Sequence, residues 1–232
     1  MQWSGKTRYI NDLYLLIHLI KQQYPHLPVY LLGESMGGAV IINAMAARQS
    51  ATVDGIILAA PALWARETMP WYQTGLLWTL AHTVPWLRLT GEGVEVQASD
   101  NIPMLRELGR DPLVIKKTRV DAINGLADLM DDAYRHSDKL SVRSLILYGE
   151  KDEIIPKQPT YDFIHRFLKH SANDKTVAIY PKDYHMLLRD LKAQVTWQDI
   201  VLWINQKSGK LPSGADLYAG KALKQYQSAK SG

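Results

Sequence analysis

Ser35 and His185, with a carboxylate from the stretch 150–153, could together make a nucleophilic site in this chain. Ser35 stands in Gly33-Glu-Ser-Met-Gly37, a Gly-x-Ser-x-Gly pattern. A serine in that pattern suits a sharp strand-to-helix turn, with its hydroxyl exposed and small neighbours making room for the bend. By composition the pattern arises by chance in roughly one chain in fifteen of this length. It therefore needs partners, because a serine requires a base and the base an orienting carboxylate. Of seven histidines only His185 follows an apolar strand-like run closely. Glu150, Asp152 and Glu153 compete for the acid, and Asp152 is the expected one, placed where the loop has left its strand and before Pro156 resets the chain. The order serine, acid, histidine is one that a sheet with helices on both faces uses for such chemistry.

The surrounding elements must hold these groups in place. Ile10, Leu13, Leu16, Ile17, Ile20 and Tyr24 recur at helical spacing, which predicts a helix over about 8–24. Buried strands are predicted at 28–33, 53–60, 142–148 and 175–180. Helices are predicted over 36–48, 158–170 and 187–206. Short apolar strands alternating with helices imply an α/β fold with a mostly parallel sheet covered on both faces. Reactive groups in such a sheet gather at the C-terminal ends of the strands. Ser35, Asp152 and His185 each follow a predicted strand.

Residues 64–138 break the rhythm. They hold four of the seven tryptophans, and their helical segments, 72–81 and 119–134, have no predicted strand between them. The expected organisation is a core of residues 1–63 and 139–206, a helical cap inserted at 64–138, and a flexible basic tail at 207–232.

Composition narrows the function. The chain has 232 residues, 47% of them hydrophobic, so a packed core is expected. The longest apolar run, 55–65, is too short to span a membrane. The absence of cysteine excludes disulfides, thiolate zinc sites and thiol catalysis. No His/Asp/Glu set has metal-ligand spacing, so neither metal nor cofactor is expected. Gly5-Lys6-Thr7 lacks the strand and earlier glycine of a phosphate-binding loop. No basic stripe interleaved with aromatics suggests nucleic acid. The start carries no apolar signal core, so a cytoplasmic or peripheral-membrane location is expected. The net charge of +4 lies entirely in 207–232, which carries five lysines against Asp216. Such a tail can touch an anionic membrane surface, although a solvated, frayed terminus is the expectation.

Three stretches taken together carry a resemblance: Gly-Glu-Ser-Met-Gly-Gly (33–38), Tyr-Gly-Glu-Lys-Asp-Glu-Ile-Ile-Pro (148–156) and Tyr-His-Met-Leu-Leu-Arg-Asp (184–190). With the order of elements from residue 8 to about 206, they resemble the monoacylglycerol lipase/lysophospholipase group of α/β-hydrolases, the serine aminopeptidase S33-like group. The segments Ser99-Asp-Asn-Ile-Pro-Met and Asp111-Pro-Leu-Val-Ile are similar to bacterial members. The resemblance implies Ser35 as nucleophile, His185 as general base, Asp152 as its orienter and the backbone N–H of Met36 as one oxyanion donor. It also implies a small acyl ester or lipid, such as a monoacylglycerol or lysophospholipid, as substrate.

The departure lies upstream of the serine. The family's sheet has about four further strands there, one ending in a His-Gly-x-Gly-type loop that gives the second oxyanion donor. Only 34 residues precede Ser35, mostly one helix, so the chain resembles the C-terminal two-thirds of such an enzyme. The strand at 28–33 is then expected to be a bare edge that invites self-association. The leading reading is a serine carboxylic-ester hydrolase working through an acyl-enzyme. Acyl transfer or another reaction on the same triad, and a catalytically impaired fragment or binding module, stay open beside it.

Overall fold

Alternation of side chains along four short apolar strands sorts this protein into two cores. The computed structural model describes residues 3–48, 53–91, 96–169, 175–206 and 210–231. In chain order its elements are α1 (Lys6–Gln23), β1 (Tyr30–Glu34), α2 (Met36–Ala47), β2 (Gly55–Ala59), α3 (Trp71–Thr83), β3 (Arg88–Thr90) and α4 (Ile102–Arg110). Then come β4 (Lys117–Arg119), α5 (Val120–Arg135), β5 (Ser144–Gly149), α6 (Lys157–Lys169), β6 (Lys175–Tyr180), α7 (Ala193–Asn205) and α8 (Ala215–Ser231).

Strands β1, β2, β5 and β6 form one parallel sheet in that spatial order. On one face Ile56, Leu58, Ile146, Tyr148, Val177 and Ile179 pack against α1, α2, α5, α6 and α8. On the other, Ile57, Ala59, Leu145, Leu147, Ala178 and Tyr180 meet Leu187, Ile200 and Trp203. The period-two switch between faces is what a strand imposes. Apolar residues on both faces are why β2 and β5 read as unbroken apolar runs. This is the parallel α/β sheet, covered on both faces, expected from the sequence.

Three expectations are corrected. First, 64–138 is not free of strands between its helices. The antiparallel pair β3–β4, with Arg88 opposite Arg119 and Thr90 opposite Lys117, lies there together with α4. Each of these strands is three residues long and β3 is exposed throughout, so no apolar alternation marks them. Second, α5 packs into the main core rather than belonging to a separate cap. Its Leu129 and Ala133 are fully buried, and Asn43 of α2 donates to the Leu129 carbonyl at 3.0 Å. Third, the expected flexible tail at 207–232 is largely folded. Within it α8 lies along β6, with Ala219, Ala222 and Leu223 in the core. It thereby shields the β6 edge of the sheet.

At the opposite edge β1 has no second strand partner among the described residues, and Leu32 is 49% exposed. No described helix is long and apolar enough to cross a membrane.

Candidate active site

The turn at Ser35 is strained in a defined way. Ser35 has φ 52° and ψ −117°, between the last residue of β1 and the first of α2. A non-glycine residue in this region costs about 1–3 kcal/mol and persists only where its surroundings over-determine it. Here they do. The Ser35 N–H donates to the Ala59 carbonyl at 3.0 Å, and its own carbonyl accepts from Gly38 and Ala62 at 3.0 and 2.9 Å. Ala60, next to this turn at the end of β2, also has positive φ, at 41°.

Two glycines make the bend sterically feasible. A Cβ on Gly33 would lie 2.6 Å from the Gly37 carbonyl carbon, and one on Gly38 would lie 2.8 Å from Pro61 Cβ. A Cβ on Gly37 would meet nothing within 4 Å. The second glycine of the five-residue pattern is therefore not the one that close packing demands; Gly38 is. Met36 opens α2, so its N–H has no acceptor within the helix.

The acid and the histidine come from two loops that follow β5 and β6. Asp152 Oδ2 lies 2.8 Å from His185 Nδ1, and both residues are buried, at 8% and 5% exposure. The other carboxylate oxygen, Oδ1, accepts from the N–H groups of Ile154 and Ile155 at 2.8 and 2.9 Å. Each oxygen thus has its own task, and the carboxylate cannot rotate without losing two backbone bonds. Of the three carboxylates in competition, only Asp152 reaches His185. Glu150 turns to Lys157, Tyr161 and Tyr218, and Glu153 accepts from the Gln97 N–H at 2.8 Å.

The two loops interlock through backbone. Glu150 N–H donates to the Tyr180 carbonyl at 2.9 Å, and Lys151 N–H to the Asp183 carbonyl at 3.0 Å. Gly149 permits this approach, since a Cβ there would lie 2.4 Å from the Asp183 and Tyr184 oxygens. Among the described residues no hydrogen bond joins the Ser35 hydroxyl to His185. Two other histidines are engaged elsewhere: His136 Nδ1 meets Asn43 at 3.0 Å, and His82 stacks on Trp78.

Several residues around the site escaped the sequence reading. Asp190 is 4% exposed and accepts from Ser99 Oγ at 2.5 Å and from the Tyr184 N–H at 2.8 Å. Met186 N–H donates to the Ala98 carbonyl at 2.8 Å, so the segment around Ser99 is stitched to the histidine loop. The similarity of that segment to bacterial lipases was its only signal in sequence. Glu34, inside the serine pattern, has a buried carboxylate oxygen, Oε1, with no hydrogen-bond partner. Burial pushes its carboxyl above the usual range, and Arg189 and His185 pull it partly back. Asp183 is raised to about 6, by burial first and then by Asp190 and Asp100. Among the described residues no three His, Asp or Glu side chains converge as metal ligands.

Comparison with known proteins places these features. Human monoglyceride lipase is 28% identical over 205 residues, a match covering 86% of this chain and 66% of that protein. A monoacylglycerol lipase of Mycolicibacterium smegmatis is 22% identical, over 85% of this chain and 69% of its own length. The chain thus spans about two thirds of these curated relatives. In structure it is similar to the Paleococcus ferrophilus monoacylglycerol lipase, with a TM-score of 0.73 and 21% identity, covering 88% of this chain and 77% of that one. The family model described as serine aminopeptidase, S33, matches residues 1–192, so both the serine turn and the Asp152–His185 pair fall within it. The chain belongs to the serine aminopeptidase S33 family of α/β-hydrolases.

Proposed function

We propose that this protein is a serine carboxylic-ester hydrolase that works through an acyl-enzyme, with Ser35 as nucleophile, His185 as general base and acid, and Asp152 as the group that orients His185. The observation that carries this reading is the buried 2.8 Å contact between Asp152 and His185 Nδ1. It leaves Nε2 as the nitrogen available for proton transfer, and Ser35 and His185 both follow C-terminal ends of strands of the one parallel sheet. Ser35 Oγ attacks the ester carbonyl carbon as Nε2 takes its proton, and the Met36 N–H stabilises the oxyanion. Collapse expels the alcohol, which takes the proton from Nε2. Water then attacks the acyl-enzyme as Nε2 takes its proton, and collapse frees the acid while Ser35 Oγ recovers that proton from Nε2. Serine–histidine contacts of this kind commonly tighten only with substrate bound.

The substrate class is a monoacylglycerol- or lysophospholipid-like ester. The names of the similar lipases support it, as do the exposed aromatics Trp71, Trp78 and Trp86 between β2 and β5, which suit an apolar acyl chain. The test is labelling of the purified protein with a fluorophosphonate, alongside a burst assay with a p-nitrophenyl acyl ester. Stoichiometric labelling at Ser35, abolished in Ser35→Ala, is the expected result. An unlabelled wild-type protein would overturn the reading and leave a binding module. Products formed with competing acceptor alcohols separate hydrolysis from acyl transfer.

A further inference from the structure

The acid loop, 149–156, is tied to a helix that the family model does not reach. That match ends at residue 192, whereas α8 begins at Ala215. Tyr218 on α8 donates its hydroxyl to Glu150 Oε2, while Lys157 and Tyr161 of α6 donate to Oε1. Glu150 is two residues from Asp152, and its side chain is 16% exposed. Burial alone would raise its carboxyl, yet the bonds from Lys157 and Tyr218 hold it below the usual range. Glu150 is therefore a charged anchor at the root of the loop.

The start of α8 is fixed just as firmly. Asp199 of α7 is fully buried and accepts from Tyr180 at the end of β6 at 2.8 Å, from the Ser213 N–H at 3.1 Å and from the Ser213 hydroxyl. Ser213 Oγ in turn accepts from the Ala215 N–H at 3.0 Å. Tyr218 also shares a cleft with Tyr180, Pro181 and Asp183, the residues that lead to His185. One helix thus touches the roots of both loops that supply the Asp152–His185 pair.

We propose that Tyr218 is a positioning residue, which through Glu150 holds the acid loop so that Asp152 meets His185 Nδ1 in register. The proposal rests on the ester-hydrolase reading for its kinetic consequence but not for its geometric one. Loss of one bond to a partly buried charged group should loosen the loop without touching substrate. The variant Tyr218→Phe should therefore lower kcat by roughly tenfold with KM unchanged, after correction for the titrated active fraction. Tyr226→Phe is the matched control. It removes a similar bond, to Asp162 at 3.2 Å, from the far end of the same helix, and should keep wild-type kcat.

A second readout needs no turnover. The low-field proton resonance of His185 Nδ1–H, identified by its loss in His185→Gln, should shift or broaden in Tyr218→Phe and stay unchanged in Tyr226→Phe. A Glu150→Gln, Tyr218→Phe double variant should be little worse than Glu150→Gln alone, because both act through one contact. Wild-type kcat and resonance in Tyr218→Phe would overturn the proposal, as would equal changes in the two tyrosine variants. If the wild-type protein hydrolyses no ester, the function fails and the resonance alone decides the positioning.

Discussion

The strain at Ser35 makes a claim about which glycines matter. Gly33 and Gly38 sit where any Cβ would collide with backbone or with Pro61, whereas Gly37 faces open space inside α2. Gly33→Ala and Gly38→Ala should each lower the thermal midpoint, by several degrees. Gly37→Ala should hold it or raise it slightly, since glycine's helix penalty of about 1 kcal/mol in an interior is smaller in the first turn, where Gly37 stands. Three melting curves decide this, and a Gly37→Ala loss as large as that of Gly33→Ala would show the packing argument wrong. Asp183 makes a pH-dependent claim. Its folded pKa is raised from 3.8 to about 6, so the folded state holds its proton longer than the unfolded chain does. Below pH about 4 both states are protonated and the residue costs nothing. As pH rises towards about 6 the unfolded state ionises first, and stability falls. Asp183→Asn should therefore be more stable than wild type at pH 7, by about 1 kcal/mol at a half-buried and screened site. The gap should vanish at pH 3.5 in urea unfolding series.

Among the elements, α8 changes the picture of this molecule most. Its buried residues Ala215, Ala219, Ala222 and Leu223 follow helical spacing, and Tyr218 and Tyr226 pack beside them. Ala222, Leu223 and the preceding Leu211 are each 8% exposed or less. Burying the two leucines alone contributes about 3–5 kcal/mol, a large share of a typical domain's net stability. A chain ended after Asn205 would also uncover the β6 edge. Such a chain should melt markedly lower and scatter light at concentrations where the full chain stays clear. An unchanged melting point would mean that α8 rests on the sheet without supporting it.

Seen as a whole, the protein is asymmetric about its sheet. One edge, β6, lies under α8, while the other, β1, has no strand partner among the described residues and exposes Leu32. Leu15, Leu16, Leu19 and Leu27, on α1 and the turn after it, are each more than half exposed. An edge with this character pairs readily with another chain. Leu32→Lys should reduce concentration-dependent assembly measured by light scattering, because a charge on an edge strand opposes pairing. Equal scattering from both proteins would place any association elsewhere. The same asymmetry brings Ser35, at the β1 end of the sheet, under the control of contacts different from those that hold Asp152 and His185.

The local features of this protein were legible in its sequence because they are set by neighbours along the chain. Short, unbroken apolar runs predicted the four strands, and the helix after Ser35 followed from its apolar run with small residues at its start. Glycines beside a serine signalled the turn, and the order of serine, acid and histidine restricted the partners. Asp152 was the expected acid from its place in the loop, but what Glu150, Asp152 and Glu153 each face is set only by the fold. The tail was misread for a related reason. Its alanines carry little hydrophobic signal, and its lysines and glycines suggest solvent. Its burial is supplied by residues far away in sequence, such as Glu150 for Tyr218 and Asp162 for Tyr226. Sequence settled what each segment could form and which groups had the right chemistry. Only tertiary packing decided how Asp152 is fixed against His185 and that the basic tail is a supporting helix, because both depend on contacts between distant segments that no local pattern encodes.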